Sequence, residues 1–513
     1  MRKLFLSVLS GLLLAFAWLD LGFSTIIFFA FLPLLYLEYY SKNLKQVFFY
    51  SLFSFFIFNI LTTYWVWNST PVGSIFAFLI NSVLMSSSFS IYSIIRRGNN
   101  NSRSLYIYFI VSWIAFEYLH LNWDLSWPWL TIGNVFSNAP YLVQWYEYTG
   151  VLGGSLWVLL INMLFFDIFL LKNKQRIYFL ALFIITPILF SIYSFNKVYD
   201  DEKTTQLNVL IVQPNIDPYS EKFNLGYKEQ LYEFIDLSKK YLNENIDLMI
   251  GPETALQEDI WENKINSSYS VEAFRVLQED YPNLNILIGS STYKLFEKNE
   301  KKSSTSRKII GENIFYDAYN SAIFIPSYGD VRIYHKTKLV PGAEKMPFPK
   351  IFDGLANLIL DFGGVSGSLG SDNEIDRFKI DSLSIKPLIC YESVYGDINN
   401  GFTDLIAVIT NDGWWGNTLG YRQHLSYSRL RAIEQRKNIV RSANTGVSAV
   451  IDQKGNIINS IGWDKKSALI ANLTINKTTT FYSKYGDYIG RLACFIAVIL
   501  LLMLFVKIVK AEN

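Results

Sequence analysis

The hydrophobic residues divide the chain into apolar ends and a more polar middle. Phe, Leu, Ile, Tyr and Trp dominate the first two hundred positions, and the last stretch is apolar again. Residues from about 200 to 485 carry most of the charge. A transmembrane helix needs roughly 20 consecutive, mainly apolar residues. The pattern therefore predicts a membrane protein with one large extramembrane domain.

Eight apolar stretches are candidates for membrane spans. They lie near 3–19, 22–40, 47–67, 72–95, 104–121, 150–171, 177–196 and 488–508. The first resembles a signal peptide, with Arg2 and Lys3 before an apolar core and Ala15-Phe16-Ala17 as a cleavage-like site. Its short link to the second stretch favours an uncleaved helical hairpin.

These stretches predict three domains. A seven-helix transmembrane domain is expected at 1–199, an extramembrane domain at 200–485, and a last transmembrane helix with a short tail at 486–513. The loops between the spans are alternately basic and free of Lys and Arg. The basic ends and loops carry Arg2, Lys3, Lys42, Lys45, Arg96, Arg97, Arg103, Lys172, Lys174, Arg176, Lys507 and Lys510. Basic loops face the cytoplasm, so the 200–485 domain is expected outside the cytoplasmic membrane.

The loop at 122–149 is expected on the same outer side and is rich in Trp and Tyr. Two interpretations stay open. The aromatic residues are typical of a belt at the membrane interface. Alternatively, they form a rim where lipid or an acylated substrate enters.

The middle of the chain alternates short β-branched runs with helical patterns, which is typical of an α/β or α+β sandwich with buried sheets. Strands are predicted at 207–216, 246–256, 285–293, 319–326, 329–341, 384–393, 404–412, 446–458 and 467–475, and helices at 227–245, 271–281 and 424–443.

Three polar residues lie where predicted strands end: Glu253, Lys336 and Cys390. Chemistry tends to be placed at such ends in α/β folds. Taken singly, each has an ordinary explanation. Glu253 follows Pro and is typical of a turn, Lys336 is one of many lysines, and Cys390 ends a buried strand. Because all three occur within a recognisable surrounding sequence, a functional explanation becomes more favoured than the three ordinary ones.

The surrounding sequence resembles the nitrilase, or carbon–nitrogen hydrolase, superfamily. "DLMIGPETAL", "YHKTKLVPGAEKMPF" and "PLICYESVYGD" resemble its Glu, Lys and Cys motifs, and "ITNDGWWG" and "RSANTGVSAVIDQKGNI" its later strands. With seven apolar spans before this domain and one after it, the chain resembles the apolipoprotein N-acyltransferase family. The loop "SWPWLTIGN" is also similar. Gly251 departs from the family, which commonly has Trp there.

The resemblance implies a multi-pass helical membrane domain joined to an extracytoplasmic αββα sandwich. The implied reaction transfers a fatty acyl chain from a phospholipid to the α-amine of an N-terminal S-diacylglyceryl cysteine of apolipoproteins. It proceeds by a ping-pong route through a thioester on Cys390, as the last step of lipoprotein maturation. The implied location is the bacterial inner membrane, with the catalytic domain in the periplasm.

The chemistry assigns a role to each member of the Glu–Lys–Cys triad. Cys390 is the expected nucleophile, because a deprotonated thiol attacks acyl groups. Glu253 is the expected proton acceptor, and Lys336 the charge that stabilises the thiolate and the oxyanion.

Three further residues are expected to support the triad. By family resemblance Glu344 orients Lys336 or aids the proton transfer. The backbone N–H of Tyr391 is a second candidate oxyanion donor. For Glu392, a structural and a catalytic role are weighted equally.

Other chemistry has little support. A Cys–His dyad through His424 is conceivable but lacks a local motif, and His335 should lie on the opposite strand face from Lys336. The two cysteines, Cys390 and Cys494, are not expected to form a disulfide, because Cys494 lies in the final apolar stretch. No metal, cofactor or phosphate-loop motif is found. The net charge of +2 gives nucleic-acid binding no support.

Competing functions are a membrane-anchored amidase or nitrilase acting on a small amide, and a transporter or receptor whose outer domain only binds ligand. The spans carry few ionisable residues of the kind that a transport path needs. The apolar segment at 348–362 is hypothesised to be a flexible lid over lipid, with packing onto the sandwich as the equal alternative. A monomer is expected, because eight spans and one site require no partner subunit.

Overall fold

The computed structural model describes residues 1–20, 22–98, 105–197, 205–348, 368–372, 376–399 and 401–512. Contacts divide the chain into two compact units. The first, the helical unit, comprises Met1–Trp67, Pro71–Lys197 and Thr480–Asn513. The second, the sandwich unit, comprises Asn68–Thr70 and Val198–Thr479.

The helical unit is built from apolar α-helices joined by short 3₁₀ turns. The helices up to Asn196 are α1 (Arg2–Trp18), α2 (Ile27–Ala30), α3 (Leu32–Tyr40), α4 (Leu44–Thr63), α5 (Val66–Ser69), α6 (Pro71–Gly98), α7 (Leu105–Leu121), α8 (Tyr146–Phe169) and α9 (Arg176–Asn196). Of these, α2 and α5 have four residues each. The 122–149 loop contains 3₁₀ turns at Pro128–Leu130, Ile132–Asn138 and Pro140–Leu142.

Five helices among the described residues are long and apolar enough to cross a membrane. They are Leu44–Thr63, Pro71–Gly98, Tyr146–Phe169, Arg176–Asn196 and Tyr488–Lys507. Shorter apolar helical stretches occupy Ser24–Tyr40 and Tyr106–Leu121, and α1 has 17 residues. Each of the eight predicted stretches therefore contains helix, while the number of spans stays a prediction.

Small and polar residues bring the helices of this unit together. A Cβ at Gly11 would lie 2.5 Å from the carbonyl oxygen of Ser54, so α1 approaches α4 this closely because residue 11 is glycine. Asn162 in α8 donates to the carbonyl of Ile27 at 2.9 Å and accepts from the N–H of Phe31 at 3.0 Å. The amide thus satisfies backbone groups where α2 gives way to α3.

The sandwich unit contains fourteen strands among its described residues and three helices of more than ten residues. The strands are β1 (Thr205–Gln213), β2 (Leu248–Ile250), β3 (Leu256–Trp261), β4 (Asn285–Leu295), β5 (Arg307–Lys308), β6 (Phe315–Ile325), β7 (Arg332–His335), β8 (Phe378–Ile380), β9 (Leu383–Ile389), β10 (Leu405–Thr410), β11 (Asn438–Ala443), β12 (Ser448–Ile451), β13 (Ile457–Ile461) and β14 (Ser467–Ile475). The helices are α10 (Tyr227–Lys239), α11 (Tyr269–Asp280) and α12 (Leu419–Gln435).

Two sheets face each other across one apolar core. One has the order β14-β1-β2-β4-β6-β5, with β3 on β4 and β7 on β6, and the other β13-β12-β11-β10-β9-β8. Val209 and Ile211 of one sheet share a buried cluster with Ile385 and Ala407 of the other. A second cluster joins the outer face of the first sheet to α10 and α11 through residues such as Phe234. Because α12 packs on the second sheet, the predicted αββα sandwich is confirmed.

Parallel pairing sets the position of the site. β1, β2 and β4 are parallel neighbours, as are β9, β10 and β11. The carboxyl ends of parallel strands meet at one edge of their sheet. The residues that follow β2, β9 and β10 therefore collect at such edges.

Several predicted elements are wrong in extent. The strand predicted at 246–256 covers β2 and the start of β3, and the strand predicted at 446–458 covers β12 and the start of β13. The helix predicted at 424–443 ends at Gln435, and 438–443 form β11. Arg436 has a φ of 50°, a left-handed backbone that terminates a helix, and β-branched Ile439 and Val440 then favour a strand. The strand predicted at 329–341 is limited to β7, which ends just before Lys336.

Two helices that follow the sandwich unit in sequence belong to the helical unit. They are the short α13 (Phe481–Tyr485) and the long α14 (Tyr488–Glu512). A Cβ at Gly490 of α14 would lie 2.5 Å from the ring of Tyr118 in α7, so these helices also pack closely at a glycine.

Candidate active site

Glu253 lies in the turn after β2, between the two sheets' strand ends, and is 6% exposed. Its Oε1 accepts from Asn320 Nδ2 at 2.8 Å and from Lys336 Nζ at 3.3 Å. Its Oε2 accepts from the backbone N–H of Asn411 at 3.1 Å. A Cβ at Gly289 would lie 2.6 Å from Glu253 Cα, so the turn reaches this position only because β4 carries glycine there.

Lys336 is fully buried immediately after β7. Its Nζ donates to Glu344 Oε1 at 2.8 Å, and its backbone N–H donates to the carbonyl of Asn320 at 2.9 Å. Asn320 Nδ2 also donates to Glu344 Oε1 at 2.9 Å. Asn320 therefore bridges both carboxylates that surround the ammonium group. We call Glu253, Asn320, Lys336 and Glu344 the lysine pocket.

The charge of Lys336 is maintained by its neighbours. Burial alone would lower the pKa of this amine, since it disfavours the charged form. The carboxylates of Glu344 and Glu253 more than offset that effect and raise the pKa well above the ordinary lysine value. The site therefore holds a fixed positive charge among two carboxylates.

Cys390 occupies the first position of a 3₁₀ turn after β9 and has a φ of 50°. A left-handed backbone at a non-glycine residue costs about 1 to 2 kcal/mol. The side chain is 8% exposed. Burial raises the pKa of the thiol, and the charge of Glu253 raises it further, while Lys336 lowers it. The resting thiol is therefore protonated, and both charged groups act on it.

Glu392 is fully buried, and its carboxylate binds mainly backbone groups. The donors to Oε1 are Tyr334 Oη at 2.7 Å, Thr337 N at 2.6 Å, Thr337 Oγ1 at 2.8 Å and Lys338 N at 3.2 Å. The N–H of Ile389 donates to Oε2 at 2.8 Å. Glu392 thus ties the turn that carries Lys336 to the turn that carries Cys390. We call these donors with Glu392 the Glu392 clasp.

Tyr391 and His335 lie beside the triad and point elsewhere. The ring of Tyr391 is buried edge-to-face on Tyr395, with the ring centroids 5.3 Å apart. His335 contacts Glu262 at 2.7 Å and Asp372 at 2.9 Å, away from the partners of Lys336. His335 and Lys336 therefore have different partners, although Lys336 lies beyond the end of β7.

The fold places the ring of His424 against the backbone carbonyl of Cys390. The ring Nε2 lies 3.0 Å from the carbonyl oxygen of Cys390 and 2.8 Å from Ser393 Oγ. Its Nδ1 lies 2.9 Å from Asp412 Oδ1. These contacts do not join the imidazole to the thiol, so they give a Cys–His dyad no support.

Sequence reasoning missed three polar residues of the site. Asn320 comes from the middle of β6, where no motif marks it. Asn411 and Asp412 lie in "ITNDGWWG", which was recognised only as a signature strand. An Asn-Asp pair directly after a buried strand was the available signal. Of the proposed lid at 348–362, residues 349–362 lie outside the part of the chain that the structure describes.

These features define a buried carboxylate–lysine–cysteine site at the strand ends of an αββα sandwich. The family model described as carbon-nitrogen hydrolase matches residues 209–482. The chain belongs to the carbon–nitrogen hydrolase family. A second model, described as the apolipoprotein N-acyltransferase N-terminal domain, matches residues 10–164.

Similar proteins match over nearly the whole length. An apolipoprotein N-acyltransferase from Chlorobaculum tepidum is 29% identical over 531 residues, covering 99% of this chain and 97% of that protein. Apolipoprotein N-acyltransferase 1 from Treponema denticola is 28% identical, with 97% and 95% covered. A solved CN-hydrolase superfamily protein from Xanthomonas campestris is 16% identical, with a TM-score of 0.36, 52% of this chain covered and 91% of that one. With its five apolar helices, the chain is a membrane enzyme.

Proposed function

We propose that this enzyme transfers a fatty acyl chain from a membrane phospholipid to the α-amino group of the N-terminal S-diacylglyceryl cysteine of apolipoproteins. The observation that supports it best is the lysine pocket beside Cys390, in a chain whose helical part also matches an acyltransferase domain. Acyl transfer to an amine uses the same carboxylate, lysine and cysteine as amide hydrolysis; the acceptor differs.

In the first half-reaction Cys390 becomes acylated. The thiol proton moves to Glu253 as the sulfur attacks the ester carbonyl of the phospholipid. Lys336 stabilises the oxyanion of the tetrahedral intermediate, a contribution that is on the order of 3 kcal/mol for one such donor. The intermediate collapses to a thioester, and the lysophospholipid oxygen leaves with the proton from Glu253.

In the second half-reaction the amine takes the acyl group. The neutral α-amine attacks the thioester, and Glu253 accepts a proton from the attacking nitrogen. The amide forms, the Cys390 sulfur leaves, and the proton returns to it from Glu253. Glu344 holds Lys336 throughout, since it binds Nζ at 2.8 Å.

The proposal includes the arrangement of the chain. The three domains at 1–199, 200–485 and 486–513 would place the catalytic domain in the periplasm of a bacterium, with the protein in the inner membrane. The alternating basic loops support this orientation. We also propose that the enzyme acts as a monomer and that Tyr391 supplies a backbone donor to the oxyanion.

Labelled lipid tests the reaction. Purified protein is incubated with phospholipid that carries the label in its acyl chain, and the label on Cys390 is measured. A hydroxylamine-labile adduct is expected in the wild type and in Cys494→Ala, the matched control for the second cysteine, but not in Cys390→Ala. Adding a diacylglyceryl peptide should then discharge the label onto its amine.

The competing amidase predicts a different result. Ammonia release from small amides, with no adduct from labelled phospholipid, would overturn acyl transfer in favour of hydrolysis.

A further inference from the structure

A buried polar cluster lies behind the backbone of Cys390 and is not used in the proposed steps. It consists of Asp412, His424 and Arg441, all 0% exposed, and we call it the His424 cluster. Arg441 Nη2 donates to Asp412 Oδ2 at 2.6 Å and lies 3.0 Å from His424 Nδ1.

The contacts of His424 determine where its proton lies. Burial lowers the pKa of His424, as does the charge of Arg441, so the ring is neutral. Nδ1 faces both Arg441, which can only donate, and the carboxylate of Asp412, which can only accept, whereas both partners of Nε2 can accept. We therefore place the proton on Nε2, with Nδ1 accepting from Arg441. Nε2–H then donates to the carbonyl of Cys390 at 3.0 Å. Ser393 Oγ donates to the same carbonyl at 2.8 Å.

This carbonyl belongs to the residue with the unfavourable backbone. Cys390 has a φ of 50°, and two side-chain donors hold the peptide group that follows it. The same turn after β10 also reaches the base, because Asn411 donates its N–H to Glu253 while Asp412 contacts His424. One turn thereby fixes both the proton acceptor and the support of the nucleophile.

We propose that His424 is a positioning residue that holds the left-handed turn of Cys390 and so directs the thiol toward Lys336 and Glu253. Arg441, which donates to Asp412 at 2.6 Å, favours the tautomer that this contact needs. The proposal deepens the acyl-transfer function and rests on it for its consequence in catalysis. The orientation of the thiol itself is testable without substrate.

The test measures alkylation of Cys390 by iodoacetamide as a function of pH, in the full chain carrying Cys494→Ala. His424→Leu removes the donor, whereas His424→Gln keeps an amide N–H. Gln278→Leu is the matched control: Gln278 is buried in α11 and donates to the carbonyl of Leu284 at 2.7 Å, so its loss also weakens the core.

In His424→Leu the pH of half-maximal alkylation should fall by at least one unit, because the displaced thiol leaves its buried place beside Glu253, and burial and Glu253 raise its pKa more than Lys336 lowers it. Acyl transfer should fall at least tenfold in kcat, with KM for phospholipid within twofold. His424→Gln should recover most of both changes, and Gln278→Leu should match its parent. Ser393→Ala, which removes the other donor, should give a smaller fall.

An unchanged alkylation profile in both His424→Leu and Ser393→Ala would overturn the proposal, as would an equal fall in Gln278→Leu. If His424→Leu does not fold, His424→Asn takes its place, because its shorter side chain withdraws the donor from the Cys390 carbonyl. Unaltered profiles in both His424→Asn and Ser393→Ala then contradict positioning. Absence of a labelled acyl adduct in the Cys494→Ala parent would refute acyl transfer instead, and the alkylation profile would still decide the role of His424.

Discussion

The lysine pocket and the Glu392 clasp hold buried carboxylates in opposite ways. In the lysine pocket, Glu253 and Glu344 share the ammonium group of Lys336 and the amide of Asn320. In the clasp, Glu392 accepts from backbone N–H groups and from two hydroxyls. Burial raises the pKa of Glu392, which these donors only partly offset. The first arrangement leaves a carboxylate able to exchange a proton, and the second uses it to fix the backbone.

This difference distinguishes a carboxylate that can take part in a reaction from one that supports the backbone of the same site. A carboxylate whose oxygens face a cation can change its charge without breaking the fold, because the cation keeps a second partner. A carboxylate that satisfies several fixed N–H groups cannot, since each donor would be left buried and unpaired. Position beside Cys390 in sequence, as for Glu392, is therefore a poor guide to a chemical role.

The largest effect on the acylation rate is expected from a substitution in the lysine pocket. Glu253→Gln keeps the shape of the side chain but removes the proton acceptor. Formation of the thioester should slow by about 10²- to 10⁴-fold, while the thermal midpoint stays near that of the wild type, because Glu344 still pairs with Lys336. Single-turnover acylation with labelled phospholipid measures it. A variant that keeps more than a tenth of the wild-type rate would remove Glu253 from the mechanism.

A substitution in the Glu392 clasp should reduce stability but leave the acylation rate nearly normal. Glu392→Gln turns an amide NH₂ toward buried donors such as Thr337 N and Ile389 N. The sandwich unit should lose about 1 to 3 kcal/mol of unfolding free energy. Urea denaturation in detergent measures this loss, and single-turnover acylation of the folded fraction should stay within a few-fold of normal. Wild-type stability combined with abolished acylation would instead assign Glu392 a chemical role.

A third group of carboxylates, Asp372 and Glu262 around His335, makes a contribution to stability that depends on pH. Burial lowers the pKa of His335, but its hydrogen bonds to Asp372 and Glu262 overcome that and raise it to about 9. The stabilisation is complete below the unfolded value of about 6.5 and is lost as the pH rises through about 9. Since Asp372 is half exposed, the loss should be about 1 to 2 kcal/mol.

His335→Gln removes this titration. Unfolding free energies at pH 6 and pH 9.5 should differ more in the wild type than in the variant. Equal differences in the two proteins would show that His335 does not carry the pH dependence.

The smallest effect is expected at an exposed ion pair, which serves as a reference for the buried carboxylates. Glu233 pairs with Lys466 at 2.6 Å, but both side chains are well exposed. Glu233→Gln should change the unfolding free energy by less than about 1 kcal/mol and leave acylation unchanged, because surface pairs are screened by water. A larger loss of stability would mean that exposure does not separate these carboxylates as proposed.

Local sequence was sufficient to propose Glu253, Lys336 and Cys390, because each lies at a strand end within a recognisable motif. Asn320 could not be proposed in this way. It reaches the two carboxylates only because β6 pairs with β4 and β7, and such pairing is a property of the folded sheet.

The role of His424 was hidden for a different reason. Its ring meets the carbonyl of Cys390 rather than the thiol, and which atom faces α12 depends on the left-handed φ of Cys390. Local sequence does not specify that angle. Likewise, residues 438–443 continue a helical pattern, and the reversal at Arg436 that starts β11 is visible only in the backbone.

The buried thiol of Cys390 also bears on how the enzyme survives between turnovers. Peroxide and other oxidants react with thiolates, and the products beyond sulfenic acid are not recovered. Burial and the charge of Glu253 keep the idle sulfur protonated, and its side chain is 8% exposed. For Cys390 as the proposed nucleophile, a protonated and buried resting state limits irreversible oxidation while no substrate is bound.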